Sequence, residues 1–276
     1  MPGAAFGGEN AESYYDEGLT AAVKGDLPRA AQYFEKAIRL DSKMATAYHQ
    51  LGKCYVRLGQ YKRAITFLSQ VVDKRPDLVS AQLDLGHALN GIGQFDAAQR
   101  QFRAVLDRDP GNAKAMLGLA EIEAVQGRWA EALTFAQSAQ LTGGNNFPVL
   151  FMIGEAAKHA GQGDVSVKNL QRADELLKKY LETNPDKPEG YFLRGEVAMV
   201  GENLAGALQH FREAESHAEP GRGYLAYSES FTLADILGRQ LDCLERLGRG
   251  AHTQELRERI AELDPEHPAV KARTES

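Results

Sequence analysis

The sequence predicts an all-α chain, a right-handed α-solenoid of about seven helix-turn-helix units, and three observations carry that prediction. Segments of similar pattern recur at an offset of 34 residues. Within each, apolar residues fall at i, i+3, i+4 and i+7, the pattern of helices with one buried face. Glycine or another small residue returns at fixed places, once inside the first helix and once at the turn. A lone helical hairpin cannot bury its apolar face, so such units must stack on one another.

The units follow in order. The first reads "SYYDEGLTAAVKGDLPRAAQYFEKAIRLDS" from Ser13, and the second "TAYHQLGKCYVRLGQYKRAITFLSQVVDKRP" from Thr46. Three more in the same phase start near Ser80, Lys114 and Pro148. The small residue of the first helix is Gly18, Gly52, Gly86, Ala120 and Gly154, and it lets the two helices approach closely. The turn carries Gly25, Gly59, Gly93, Gly127 and Gly161, where a positive φ is cheap only for glycine. The second helix has Ala30, Ala64, Ala98, Ala132 and Ser166, each followed four residues later by Phe34, Leu68, Phe102, Ala136 and Leu170. A sixth unit reads Tyr191, Gly195, Ala207, Phe211 and Ala214, and a degenerate seventh reads Leu241, Leu244, Gly248, Ile260 and Pro265. These residues resemble the tetratricopeptide repeat, over about residues 11–267.

The expected boundaries are 11–44, 45–78, 79–112, 113–146, 147–187, 188–221 and 222–267, with disordered tails at 1–10 and 268–276. Two units run long. After Ala173 the proline that the phase places at 178 arrives at Pro185, seven residues late, and Leu170, Ala173, Leu177 and Leu181 keep one face apolar throughout. The spacing predicts a second helix reaching about Glu182. In the seventh unit Tyr224, Tyr227, Phe231, Ala234, Leu237, Leu241 and Leu244 predict a first helix extended forward to just after Gly223. If both extensions grow from one edge, Leu177, Tyr180 and Leu181 meet Tyr224, Tyr227 or Phe231 in a ledge; otherwise each covers its own neighbours. The last helix of that unit, "HTQELRERIAEL", has Arg257 where others put Phe or Leu, and turns Leu256, Ile260 and Leu263 inward, as a solubilising cap would.

Composition narrows the function. The 276 residues carry a net charge of −6 and no Lys/Arg block, which argues against nucleic acid as a partner. Cys54 and Cys243 share a position on the inner face of the first helix and read as core residues, without disulfide or metal spacing. No apolar run spans a bilayer. The start "MPGAAFGGENAES" lacks a signal-peptide pattern, so a cytoplasmic protein is expected. "GIGQFD" lies between helices without the strand and Gly-Lys of a phosphate loop. His210 and His217 lack a third metal ligand and read as solvated surface. No nucleophile–base or paired-carboxylate set emerges. The chain is read as no enzyme and as having no cofactor or metal.

The resemblance puts function on the first helix of each repeat, which lines a concave groove. Its fifth position is Tyr15, His49, Leu83, Leu117, Phe151 and Phe192, a mostly apolar stripe. Its ninth position includes Lys53, His87, Glu121, Glu155 and Glu196, and its thirteenth Arg57. The groove is thus basic near the second unit, at His49, Lys53 and Arg57, and acidic over units four to six. A peptide or helix lying there would anchor apolar side chains on the stripe and be oriented by the charges. The plainer alternative is that the fifth position packs on neighbouring helices and the charges are a solvated face. Members of the family that grip a terminal carboxylate use a cationic clamp. The matching positions here hold either Tyr15, Leu19, Gln50, Ser80 and Asp84 or His49, Lys53, Asp84, Lys114 and Gly118, which make none. The expectation is a scaffold or adaptor binding a protein or peptide partner. The alternatives are a secretion or assembly chaperone, a peptide-responsive regulatory subunit, and self-association into a larger assembly.

Overall fold

The computed structural model describes residues 10–226, 229–250 and 253–271. The chain divides into two compact units, with the border after Pro110. The first holds α1 (Ala11–Val23), α2 (Leu27–Leu40), α3 (Ala45–Arg57), α4 (Tyr61–Lys74), α5 (Val79–Gly91) and α6 (Phe95–Leu106). The second holds α7 (Ala113–Val125), α8 (Trp129–Gly143), α9 (Phe147–His159), α10 (Gly163–Thr183), α11 (Pro188–Val200) and α12 (Leu204–Ser216). It continues with the strands β1 (Tyr224–Ala226) and β2 (Glu229–Phe231), then α13 (Leu233–Arg246), α14 (Thr253–Leu263) and α15 (Pro268–Lys271). Both units are stacks of helical hairpins, the α-solenoid arrangement that the 34-residue offset predicts. No described helix is long and apolar enough to cross a membrane.

Each hairpin closes by size complementarity. A methyl group on Gly86 would come 2.7 Å from the Phe102 ring, and one on Gly52 2.5 Å from Leu68. The same fit joins Gly18 to Phe34, Gly154 to Leu170 and Gly195 to Phe211. The three phenylalanines are fully buried. The turn glycines hold φ between 67° and 82°, as at Gly59 and Gly25. In the sixth unit that backbone conformation falls on Glu202, with φ 62°, because the seven extra residues carry the phase there. Lys158 braces this turn, donating to the Val200 carbonyl at 2.7 Å and pairing with the Glu202 carboxylate at 2.9 Å.

α10 runs 21 residues, from Gly163 to Thr183, and keeps Leu170, Ala173, Leu177 and Leu181 buried. Its added turns lie against the start of α11, where Leu181 and Tyr180 crowd Gly190. Asp174 ties the same two helices together, accepting from Arg194 at 2.6 Å and pairing with Lys178 at 2.8 Å. Burial opposes its charge, but the hydrogen bonds from Arg194 and Lys178 outweigh that and hold its carboxyl below the usual range.

Four expectations are corrected. The seventh unit has no extended first helix: Tyr224–Ala226 and Glu229–Phe231 pair as an antiparallel hairpin, and α13 begins at Leu233. Thr232 explains that start, because its side chain and that of Asp235 form a reciprocal capping box. Among the described residues the ledge does not form: Leu177 packs with Phe147, Leu150 and Val197, whereas Tyr224 and Phe231 pack with Phe192 and α13. Tyr227 lies outside the described residues. Leu263 is exposed rather than inward-facing, since Leu256 and Ile260 suffice to seat α14. Residues 268–271 form α15 rather than a tail, while 1–9 and 272–276 lie outside the described residues.

Candidate functional site

The second unit holds a cavity of about 590 Å³ lined by α7, α9, α11 and α13, with β1, β2 and residues 267–269 as a further wall. Six residues singled out by the repeat phase meet there: Leu117, Phe151 and Phe192 from the fifth position, and Glu121, Glu155 and Glu196 from the ninth. One turn separates the fifth and ninth positions, so each first helix presents an apolar side chain and a carboxylate on the same face. Phe151 stacks on Phe147 at 5.6 Å. Phe192 is sandwiched into the wall, its ring 4.1 Å from Phe231 and inclined by only 6°. Phe231 in turn stacks on Tyr224 at 5.5 Å, and the Tyr224 hydroxyl accepts from the Glu219 N–H at 2.6 Å. The strand hairpin is therefore fixed to the helical floor by a run of aromatic contacts.

The seventh unit continues both rows, which sequence reasoning missed. Cys243 stands in phase with Cys54, so Asp242 is its ninth position and Gly238 its fifth. Asp242 adds a fourth carboxylate to the row. At Gly238 the apolar side chain is absent, and the His267 ring fills the space: a methyl group there would come 2.8 Å from its Cε1. His267 Nδ1 accepts from the Ala269 N–H at 3.2 Å, and its Nε2 lies 3.4 Å from Asp235. Arg239 pairs with Glu196 at 2.8 Å. Phe147, Met152, Ser230 and Phe231 are among the other lining residues that the phase did not name. The signal for Asp242 and Gly238 was present in the matching cysteines.

The predicted residues of the first unit fare differently. Leu83 is buried and belongs to the core, so it is not a groove anchor. Tyr15 leans on Phe34 at 5.7 Å, and His87 sets its edge on Phe102 at 5.1 Å. His49 Nε2 bonds Asp84 at 2.9 Å, which places a carboxylate inside the patch expected to be basic. Lys53 is exposed. Arg57 is half-buried, and burial pushes the pKa of its guanidinium down. In this unit the fifth position serves packing more than presentation.

The remaining candidates for chemistry are structural. Cys54 and Cys243 are free and buried, and burial pushes each thiol up to about 11, away from nucleophile behaviour. His217 stacks on Tyr191 at 5.2 Å, and burial pushes His210 down, so neither is the solvated histidine expected. No cluster of metal-ligating groups occurs among the described residues.

Sequence profiles of the tetratricopeptide repeat match residues 24–86, 83–146 and 160–222. No curated protein sequence matches the chain. Among solved structures, a tetratricopeptide repeat protein from Parabacteroides merdae superposes with a TM-score of 0.59 at 12% identity, covering 96% of this chain and 97% of its own. MamA (residues 41 to its end) from Desulfovibrio magneticus RS-1 gives 0.53 at 20% identity, covering 62% of this chain and 97% of its own. At these identities the likeness is one of fold. With the profiles matching most of the chain and the hairpins closing as the repeat requires, this chain belongs to the tetratricopeptide repeat family.

Proposed function

We propose that this chain is a non-catalytic interaction scaffold whose second unit captures a segment of a partner protein in the cavity floored by α7, α9, α11 and α13. The family fold supports protein–protein interaction in general, and one observation carries the finer reading. Six residues from three different repeats, at two repeat positions, converge on a single cavity of about 590 Å³. That size falls in the range of sites that bury a ligand's side chains. The mixture is also that of a recognition site: aromatic and aliphatic side chains supply area, and charged groups supply orientation.

Site-specific photo-crosslinking tests this reading. A benzoylphenylalanine at Met152, inside the cavity, is expected to capture a discrete partner from source cells. The same probe at Leu141, which is 88% exposed on α8, is expected to capture none. Phe151→Ala is expected to abolish the Met152 product. Equal capture from both positions, or capture indifferent to Phe151, would overturn the cavity as the binding site.

A further inference from the structure

The only strands among the described residues stand in the cavity wall, and their pairing says which backbone groups they offer. Tyr224 pairs with Phe231, Leu225 with Ser230 and Ala226 with Glu229, so residues 227 and 228 link the strands. In a hairpin with a two-residue link, the pair beside the link exchanges both backbone hydrogen bonds, and bonded and non-bonded pairs alternate from there. Leu225 and Ser230 are then the non-bonded pair. Their N–H and C=O groups point away from the partner strand, and those of Ser230 lie along the outer edge of β2. Among the described residues the sheet has only these two strands, so no third strand covers that edge. Ser230 itself lines the cavity and is only partly buried. A strand edge of this kind is a template for one more strand.

The rest of the cavity specifies what that strand carries. Alternate side chains of an extended segment point to opposite faces, so one set can reach the apolar floor at Phe151 while the backbone pairs with β2. The floor also presents the carboxylate row of Glu121, Glu155, Glu196 and Asp242, one from each of four successive first helices. Two of the four already meet an arginine, Glu196 with Arg239 in the lining and Asp242 with Arg246 outside it at 3.7 Å, and the lining as a whole keeps an excess of carboxylates over cationic groups. A segment of opposite charge is drawn to such a surface, and an acidic one is repelled. We infer that the cavity's ligand is an extended, basic peptide segment that adds to the open edge of β2 and brings Lys or Arg side chains to the carboxylate row. A helical ligand satisfies its own backbone and would make no use of that edge. The inference rests on the proposal that the cavity takes a partner segment, and the test separates the two.

The probe is a phage-displayed library of random twelve-residue peptides selected on the full chain, with Phe151→Ala as counter-target. Selected peptides that depend on Phe151 are expected to be net positive. Methylating alternate backbone nitrogens of the tightest peptide is expected to weaken it about tenfold in one of the two frames only. Ser230→Pro, which removes the edge N–H, should weaken it by a similar factor, whereas Ser230→Ala should leave it unchanged. Circular dichroism and the melting temperature confirm that each variant is folded. Phe151-dependent peptides that are neutral or acidic would overturn the inference and leave the cavity reading standing. So would peptides insensitive to methylation in both frames, or equally tight on Ser230→Pro. If no selected peptide depends on Phe151, both the inference and the cavity reading fall.

Discussion

Hairpins α5–α6 and α13–α14 meet the same packing requirement with opposite residues. In α5–α6 the first helix gives up its side chain at Gly86, and the Phe102 ring fills the space. In α13–α14 the same positions hold Leu241 and Arg257. Leu241 is buried, and Arg257 swings outward to pair with Glu245 and donate to the Ala269 carbonyl at 2.7 Å. Between these extremes, α7–α8 uses Ala120 and Ala136, both fully buried in one cluster. The hairpin interface therefore fixes the identity of neither member: the two positions share the filling of the space, and either one or both can supply the buried side chain, in keeping with close packing in protein interiors.

The largest effect expected from breaking this rule is at Phe102. Phe102→Ala should cost about 3–5 kcal/mol in urea unfolding, because the ring fills a site with no other occupant. Adding Gly86→Ala copies the alanine pair of α7–α8 and should recover about 1–2 kcal/mol, from helix propensity and a smaller void. If the second change deepened the loss, volume sharing would be the wrong account. Arg257→Phe tests the other extreme. With Leu241 in place the ring has no room, and overpacking should cost about 1–3 kcal/mol, which Leu241→Gly should partly relieve.

Polar ties between helices are weaker than the hairpin cores. Asp174→Asn in α10 leaves the Arg194 guanidinium, whose side chain is only 18% exposed, without its counter-charge. A loss of about 1–2 kcal/mol is expected at neutral pH. Because the Asp174 carboxyl is held below its usual range, its stabilisation is present above the ordinary aspartate pKa of about 3.9 and fades as pH falls through the lower folded value. Unfolding curves of wild type and variant should therefore converge on acidification, and a gap that persists at the lowest pH would point to packing instead. The smallest effect concerns the turns. Gly161 adopts φ 74° freely, whereas Glu202 is held at 62°. Glu202→Gly should raise the melting temperature by about 2 °C, the relief of the backbone slightly exceeding the loss of an exposed ion pair. A lower melting temperature would show that the Lys158 brace outweighs the strain.

What the sequence made legible follows from what repeats. Gly18 with Phe34 and Gly52 with Leu68 recur at one spacing, so the hairpins, their turns and the apolar and acidic rows of the second unit can be read by counting. The length of α10 was legible because Leu177 and Leu181 extend an unbroken face to the Asn184–Pro185 stop. The strand hairpin was not, because Tyr224, Phe231 and Ala234 happen to keep a helical spacing that two strands and a helix start can also satisfy. The opposing signal was the pair Thr232 and Asp235, a helix-start signature just before the apolar run, which places the start of α13 nine residues later, at Leu233. Leu83 misled for a different reason. Its position is shared with Phe151, yet only the local neighbours decide whether the fifth residue is covered.

The stacking of Phe231 on Phe192 constrains how such a chain could grow. Every residue lining the cavity lies between Leu117 and Ala269. Duplicating a hairpin upstream of Gly111 would lengthen the array and leave all of those residues in their order. Inserting one between α12 and β1 would carry Phe231 away from Phe192 and dismantle the wall. A chain of interchangeable modules thus contains one segment, α11 to α13 with the strands between, that can be inherited only as a block.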